Sequence, residues 1–115
     1  MAESCLFCRI AGGEIPARIA FQDEAVVAFH DLNPQAPTHV LVVPRQHIPS
    51  ADAIGPEHGP LLAAMLGAAQ RVARDVGAHE SGYRLVFNHG PAAGQSVDHV
   101  HLHVLAGRKL DWPPG

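Results

Sequence analysis

Residues 96–107, SVDHVHLHVLAG, set His99, His101 and His103 at alternate positions around Val100, Leu102 and Val104. In an extended strand successive side chains leave opposite faces, so a period of two predicts one face of imidazoles and one of branched aliphatics seated in a core. A helix would scatter the three rings around its axis, and the aliphatic partners also favour a strand. Neighbouring imidazoles are expected roughly 7 Å apart, two strand rises of about 3.3 Å each. Burying three rings without purpose costs desolvation and demands separate hydrogen-bond partners. The pattern therefore points to chemistry, since histidine is a metal ligand, proton carrier or nucleophile near neutral pH.

Immediately upstream, Gly90, Gly94, Gln95 and Ser96 form a small-residue turn whose backbone N–H groups and hydroxyl suit phosphate oxygens. A histidine beside such a cradle can attack phosphorus when its other nitrogen donates to a backbone carbonyl and fixes the tautomer. A metal held by all three rings is the competing reading, and the loop favours the nucleophile.

Working outward, GYRLVFNHG predicts a strand ahead of that loop, and HVLVVP (39–44) another whose unbroken apolar character suits the centre of a sheet. ARIAFQDEAVVAFHD predicts two strands, Ala17–Gln22 and Ala25–Asp31, joined in a hairpin at Asp23 and Glu24. Cys5 to Ala11 reads as a short helix stopped by Gly12 and Gly13. From Pro56 to Val76, a helical stripe of Leu62, Met65, Leu66, Ala69, Val72, Ala73 and Val76 predicts the main helix, ended by Gly77. Strands joined mostly by turns, with one substantial helix, make an α+β fold around a five-stranded, mainly antiparallel sheet. The prolines of DWPPG at the C-terminus cannot continue a strand.

A chain of 115 residues is long enough for one core and too short for two, so residues 1–115 are expected to form a single domain. It is 47% hydrophobic and 17% charged, the composition of a compact soluble globule. The N-terminus, MAESCLFCRIAGGEIP, puts an acidic residue before a brief apolar patch, unlike a secretory leader, and no stretch suits a membrane. A cytoplasmic protein is expected. The net charge of -3, with lysines and arginines dispersed singly, provides no basic stripe for nucleic acid.

Cys5 and Cys8 form a C-x-x-C pair. In a reducing compartment such a pair suits metal or redox chemistry better than a structural disulfide, and no thioredoxin-like strand and helix precede it. Two small, partly buried residues beside Leu6 and Phe7 are the plainer reading.

HVHLHV resembles the His-x-His-x-His-x-x signature of the histidine-triad superfamily. FHDLNPQAPTHVLVVP, GQSVDHVHLHVLAG and the terminal WPPG together resemble its Hint branch, the purine nucleoside phosphoramidases, over Phe7 to Gly115. The resemblance implies a HIT-like fold and hydrolysis of the P–N bond of a purine nucleoside 5′-phosphoramidate, such as adenosine 5′-phosphoramidate or lysyl/aminoacyl-AMP. His101 would form a covalent nucleotidyl-histidine, releasing an amine and then AMP or GMP. It further implies His103 and His39 around the phosphate and nucleophile, Ser96 near the leaving group, and Asn88 with Gly94 and Gln95 at the phosphoryl oxygens. The carbonyl of His99 would orient His101.

A nucleoside slot would comprise Leu6, Phe7, Ile10, Phe29, His30 and Leu32, with Asp31 accepting the ribose hydroxyls. From the residues alone, the apolar ones also suit plain core, Asp31 a turn cap, and Ser96 and Asn88 ordinary turn bonding. Related proteins complete the cysteine pair with two histidines, here His47 and His99, as a structural Cys2His2 zinc site; catalysis itself would need no cofactor. A homodimer through the main helix and the strand near Tyr83 is implied too. A dinucleoside polyphosphate hydrolase of the same superfamily and a nucleotide-binding scaffold are the alternatives. His89 and Asp98 add titratable groups on either side of the loop, and alternation turns Asp98 away from His99.

Overall fold

The computed structural model describes residues 4–115, so Glu3, the acidic residue weighed against a leader, lies outside them. Helix α1 (Leu6–Ala11) starts one residue later than the sequence suggests because Cys5 is its N-cap, with Sγ accepting from the Cys8 amide at 3.4 Å. Strands β1 (Ile19–Gln22) and β2 (Val26–His30) form the expected hairpin, β1 trimmed at its outer end and β2 by one residue at each end. Asp23 makes the turn: its carboxylate accepts from the amides of Ala25 and Val26, both at 2.9 Å. Strand β3 (Thr38–Pro44) is buried from His39 onward and occupies the centre of the sheet, as its unbroken apolar run requires.

A short 3-10 turn (Pro56–His58) precedes α2 (Gly59–Asp75), so the main helix is shorter than the predicted 56–76 span. Gly77, at φ +76°, takes the left-handed position past its end and redirects the chain into α3 (Ala78–Ser81), a turn with no periodic sequence signal. Strand β4 (Tyr83–Phe87) and strand β5 (Leu102–Ala106) complete an all-antiparallel sheet in the order β1-β2-β3-β5-β4. Of the predicted helical stripe, Met65, Ala69, Val72 and Ala73 are buried together with Ala68, whereas Leu66 and Val76 face outward. Leu66 sits at the edge of the buried face, and Val76 is the C-cap, past the helix's end.

The two sheet faces separate structure from site. Val26, Ala28, Val40, Val42, Leu102 and Val104 pack against α2. On the opposite face, Val27, Phe29, Leu41 and Val43 pack against Phe7 of α1. Among the described residues, no helix is long and apolar enough to cross a membrane.

Candidate active site

The triad does not lie in one regular strand: β5 begins at Leu102, and ahead of it residues 99–101 lie outside the ladder, with His99 in a bend. Here the chain leaves the sheet ladder to bond elsewhere, the amide of Val100 reaching the carbonyl of Ile48 at 2.7 Å. The three imidazoles accordingly serve two places. The rings of His101 and His103 adjoin, 5.1 Å between centroids rather than the 7 Å of a straight strand, while the ring of His99 turns toward Cys5 and Cys8.

His101 and His103 line a cavity of about 290 Å³ floored by the α1 face of the sheet. Leu6, Phe7 and Ile10 from α1, Phe29, His30, Asp31 and Leu32 from the end of β2, and Ser96 from the glycine loop also line it. Phe7 is buried and meets the His101 ring edge-on at 5.1 Å between centroids, so core packing fixes one wall of the site. Sequence reasoning missed further wall residues, Ile15 to Arg18 and Leu41. The first four follow the Gly12–Gly13 turn, which folds the chain back over the sheet.

Hydrogen bonds assign the protons. His101 Nδ1 lies 2.8 Å from the carbonyl of His99, so it donates, and the neutral ring keeps its lone pair on Nε2. The Gln35 amide donates to His39 Nδ1 at 3.0 Å, so the His39 proton is on Nε2, and it is donated to His103 Nδ1 at 2.9 Å. His103 therefore carries its proton on Nε2. One ring of the cavity presents a lone pair and its neighbour a donor.

Burial holds His103 far below its ordinary value, at about 4, with His101 and His39 adding to the effect, so its ring is neutral near pH 7. Burial also lowers His39, against the pull of Asp31 3.5 Å away, and lowers His30 with help from Arg18. Asp31 is indeed a turn cap, one carboxylate oxygen accepting from the Asn33 amide at 2.8 Å, while the other faces His39. His39 itself is buried behind His103 and is not a wall residue.

Of the residues expected at the phosphate, Asn88, Gly94 and Gln95 are not on the cavity wall. The Gln95 side chain is spent inside the loop: its oxygen accepts from the Gly90 amide, and its nitrogen donates to the carbonyls of Pro49 and Val97. His89 supports the same loop through a 2.9 Å hydrogen bond between Nδ1 and the Ser50 hydroxyl. Both pin the loop to Pro49 and Ser50, a tertiary contact that no local pattern announces.

Cys5, Cys8, His47 and His99 form the second cluster, their ligand atoms all within 4.8 Å of one another. His99 Nε2 donates to the Pro44 carbonyl at 2.8 Å, which leaves the Nδ1 lone pair facing the cluster. Its Nδ1 is 3.2 Å from His47 Nδ1 and 3.3 and 3.4 Å from the two sulfurs. Bonds of about 2.0 Å to nitrogen and 2.3 Å to sulfur give tetrahedral edges of about 3.3–3.8 Å, so the donor set fits a zinc ion. Burial, reinforced by the hydrogen bond and charge of Cys5, pushes the Cys8 thiol up to about 11. Burial also lowers His99, and Asp98 has no part in that shift.

The HIT domain family model matches residues 12–110. The chain is 44% identical to the purine nucleoside phosphoramidase of Escherichia coli K12 over 110 residues, 96% of this chain and 92% of that one. A HIT family hydrolase from Legionella pneumophila superposes with a TM-score of 0.95 at 49% identity, covering 97% of this chain and all of that one. A Zn-bound histidine triad family protein from Mycobacterium smegmatis superposes at 0.81 with 35% identity, covering 97% and 81% respectively.

Proposed function

The chain belongs to the HIT domain family, and from that premise we propose that it hydrolyses the P–N bond of purine nucleoside 5′-phosphoramidates through a nucleotidyl-histidine. The observation that carries this reading is the proton assignment: His101 Nδ1 is committed to the His99 carbonyl, leaving a nucleophilic Nε2 beside the His103 donor on one cavity wall.

The nucleoside occupies the slot of Leu6, Phe7, Ile10, Phe29 and Leu32, with Asp31 and His30 at the sugar. The slot offers apolar area and few hydrogen bonds, which suits purines without dividing adenine from guanine. The lone pair of His101 Nε2 forms a bond to phosphorus as the phosphorus–amine bond breaks, its electron pair leaving on nitrogen. That nitrogen takes a proton from the Ser96 side, replenished by solvent, and leaves as the amine. His103 Nε2–H donates to the phosphoryl oxygens as charge gathers there.

In the second step, a water oxygen bonds to phosphorus, its proton passes to solvent, and the P–Nε2 bond breaks to restore His101 and release the nucleoside monophosphate. His39 and the His99 carbonyl act as positioning groups, each fixing a tautomer. Cys5, Cys8, His47 and His99 would hold a zinc ion as a closed four-ligand set, which would cross-link the fold and supply no catalytic step.

Steady-state hydrolysis of adenosine 5′-phosphoramidate against diadenosine triphosphate tests the reading. The amidate is the expected preference, and His101→Ala is expected to lose roughly 10³-fold or more in kcat while still binding AMP. Preference for the dinucleotide moves the chain to the dinucleoside polyphosphate hydrolases, and turnover surviving in the variant overturns the mechanism.

A further inference from the structure

The proton on His103 Nε2 is fixed at second hand. His103 Nδ1 accepts from His39 Nε2–H at 2.9 Å, and His39 keeps its proton there because its own Nδ1 accepts from the Gln35 amide at 3.0 Å. With that amide out of reach the relay can reverse. His39 then carries its proton on Nδ1 and accepts from His103 Nδ1–H, which leaves a bare lone pair on His103 Nε2 where a donor stood. Asp31, 3.5 Å from His39 Nε2, favours the observed direction too. The polarity of one cavity wall thus depends on where a single backbone amide lies.

That amide belongs to the loop 31–37, which has no regular secondary structure and is exposed from Leu32 to Gln35. The bonds within the loop are short-range, from the Asn33 amide to the Asp31 carboxylate at 2.8 Å and from the Gln35 side chain to the Asn33 carbonyl at 2.9 Å. Among the described residues, Arg108 is the one side chain from beyond β3 that hydrogen-bonds to it: its Nε donates to the Gln35 carbonyl at 3.0 Å. The carbonyl and the amide of Gln35 flank one Cα, so holding the first restrains the second. Packing agrees with the bond. Gly107, at φ +95°, turns the chain leaving β5 against the loop so closely that an added Cβ would stand 2.8 Å from Pro37 Cβ.

We infer that Arg108, which is not on the cavity wall, is a positioning residue that fixes the tautomer of His103 through Gln35 and His39. A guanidinium suits the far end of such a relay, because it only donates and keeps its protons at any working pH. A second bond, from Nη1 to the Lys109 carbonyl at 3.0 Å, braces it. Its side chain is exposed, so its removal opens no gap in the core. The consequence for turnover rests on the phosphoramidase reading, in which His103 Nε2–H donates to the phosphoryl oxygens; the consequence for the ring protons does not.

The test reads ring protons and turnover on the same full chain, labelled with ¹⁵N at histidine. Imidazole nitrogen shifts separate a protonated nitrogen from a bare one, and His39→Gln and His103→Gln assign the signals. In the wild type, both Nδ1 atoms are expected bare and both Nε2 atoms protonated. Arg108→Ala is expected to move His103 Nε2 toward the bare shift and to lower kcat on adenosine 5′-phosphoramidate about three- to tenfold, the scale of one hydrogen bond. Arg108→Lys, which keeps a cationic donor, is expected to recover part of both. Wild-type shifts in Arg108→Ala overturn the inference even if kcat falls, since the loss then comes from loop packing alone. Altered shifts with an unchanged kcat overturn it as well, by separating the tautomer from turnover. Failure of the wild type to hydrolyse the amidate overturns the phosphoramidase reading instead, and the shifts in Arg108→Ala still decide whether Arg108 sets the tautomer.

Discussion

A single residue, His99, decides how the site is divided, because its carbonyl faces His101 and its ring faces the cysteines. The histidines of the site were legible in the sequence as a group. Alternation did not show their division, which the family resemblance alone implied, because alternation assigns faces only where a ladder is regular, and the bond from Val100 to Ile48 lies outside it. Protonation equilibria at this scale give a stability prediction. Unfolded, His103 takes up a proton near its ordinary value of 6.5; folded, burial keeps it neutral down to about 4. Between these values the unfolded chain binds more protons, so stability is complete above about 6.5 and is lost as pH falls toward 4. The lowered values of His39 and His30 act in the same direction. Urea midpoints at neutral and mildly acidic pH are expected to fall with pH, and His103→Gln to fall less steeply. An unchanged slope in that variant would remove His103 from the account.

Among the elements, the strands were the easiest to read, because a period of two on β2, β3 and β5 registers directly which residues meet α2 and which meet Phe7. Helix α2 was legible in existence and in phase but not in the width of its buried face, since Leu66 lies at the edge of the stripe and Val76 is the C-cap past the helix's end. The short α1 has six residues, too few to hold a helix by local bonds alone. Two tethers retain it: Phe7 in the core, and the cysteine cluster joining its N-cap to His47 and His99. Metal analysis of the purified chain is therefore expected to find one zinc per chain. Chelation should lower stability by about 4 kcal/mol relative to zinc at a thousand times its Kd, and expose α1 to protease. Cys8→Ser is expected to behave like the chelated wild type; full stability without metal would contradict the zinc assignment.

At the scale of the whole molecule, β4 pairs among the described residues on one side only, with β5, leaving a free edge beside the half-exposed Leu85. Leu66 and Val76 of the neighbouring helical segment add exposed apolar surface. Free edges of this kind invite a second chain, and the resemblance implies a homodimer there. Sedimentation equilibrium is expected to give twice the monomer mass, and Leu85→Lys to reduce it to the monomer; a monomeric wild type would exclude this assembly. The order of the sheet was the least legible feature, because β5, last in sequence, is inserted between β3 and β4, and nothing local encodes that choice. This topology has a consequence for biosynthesis. A nascent chain emerging from the ribosome has β3 unpaired on one side, and His101 and His103 unsupported, until residue 106 is free. The sheet then closes in one late event, so the wall of His101 and His103 is assembled only after the last strand has joined.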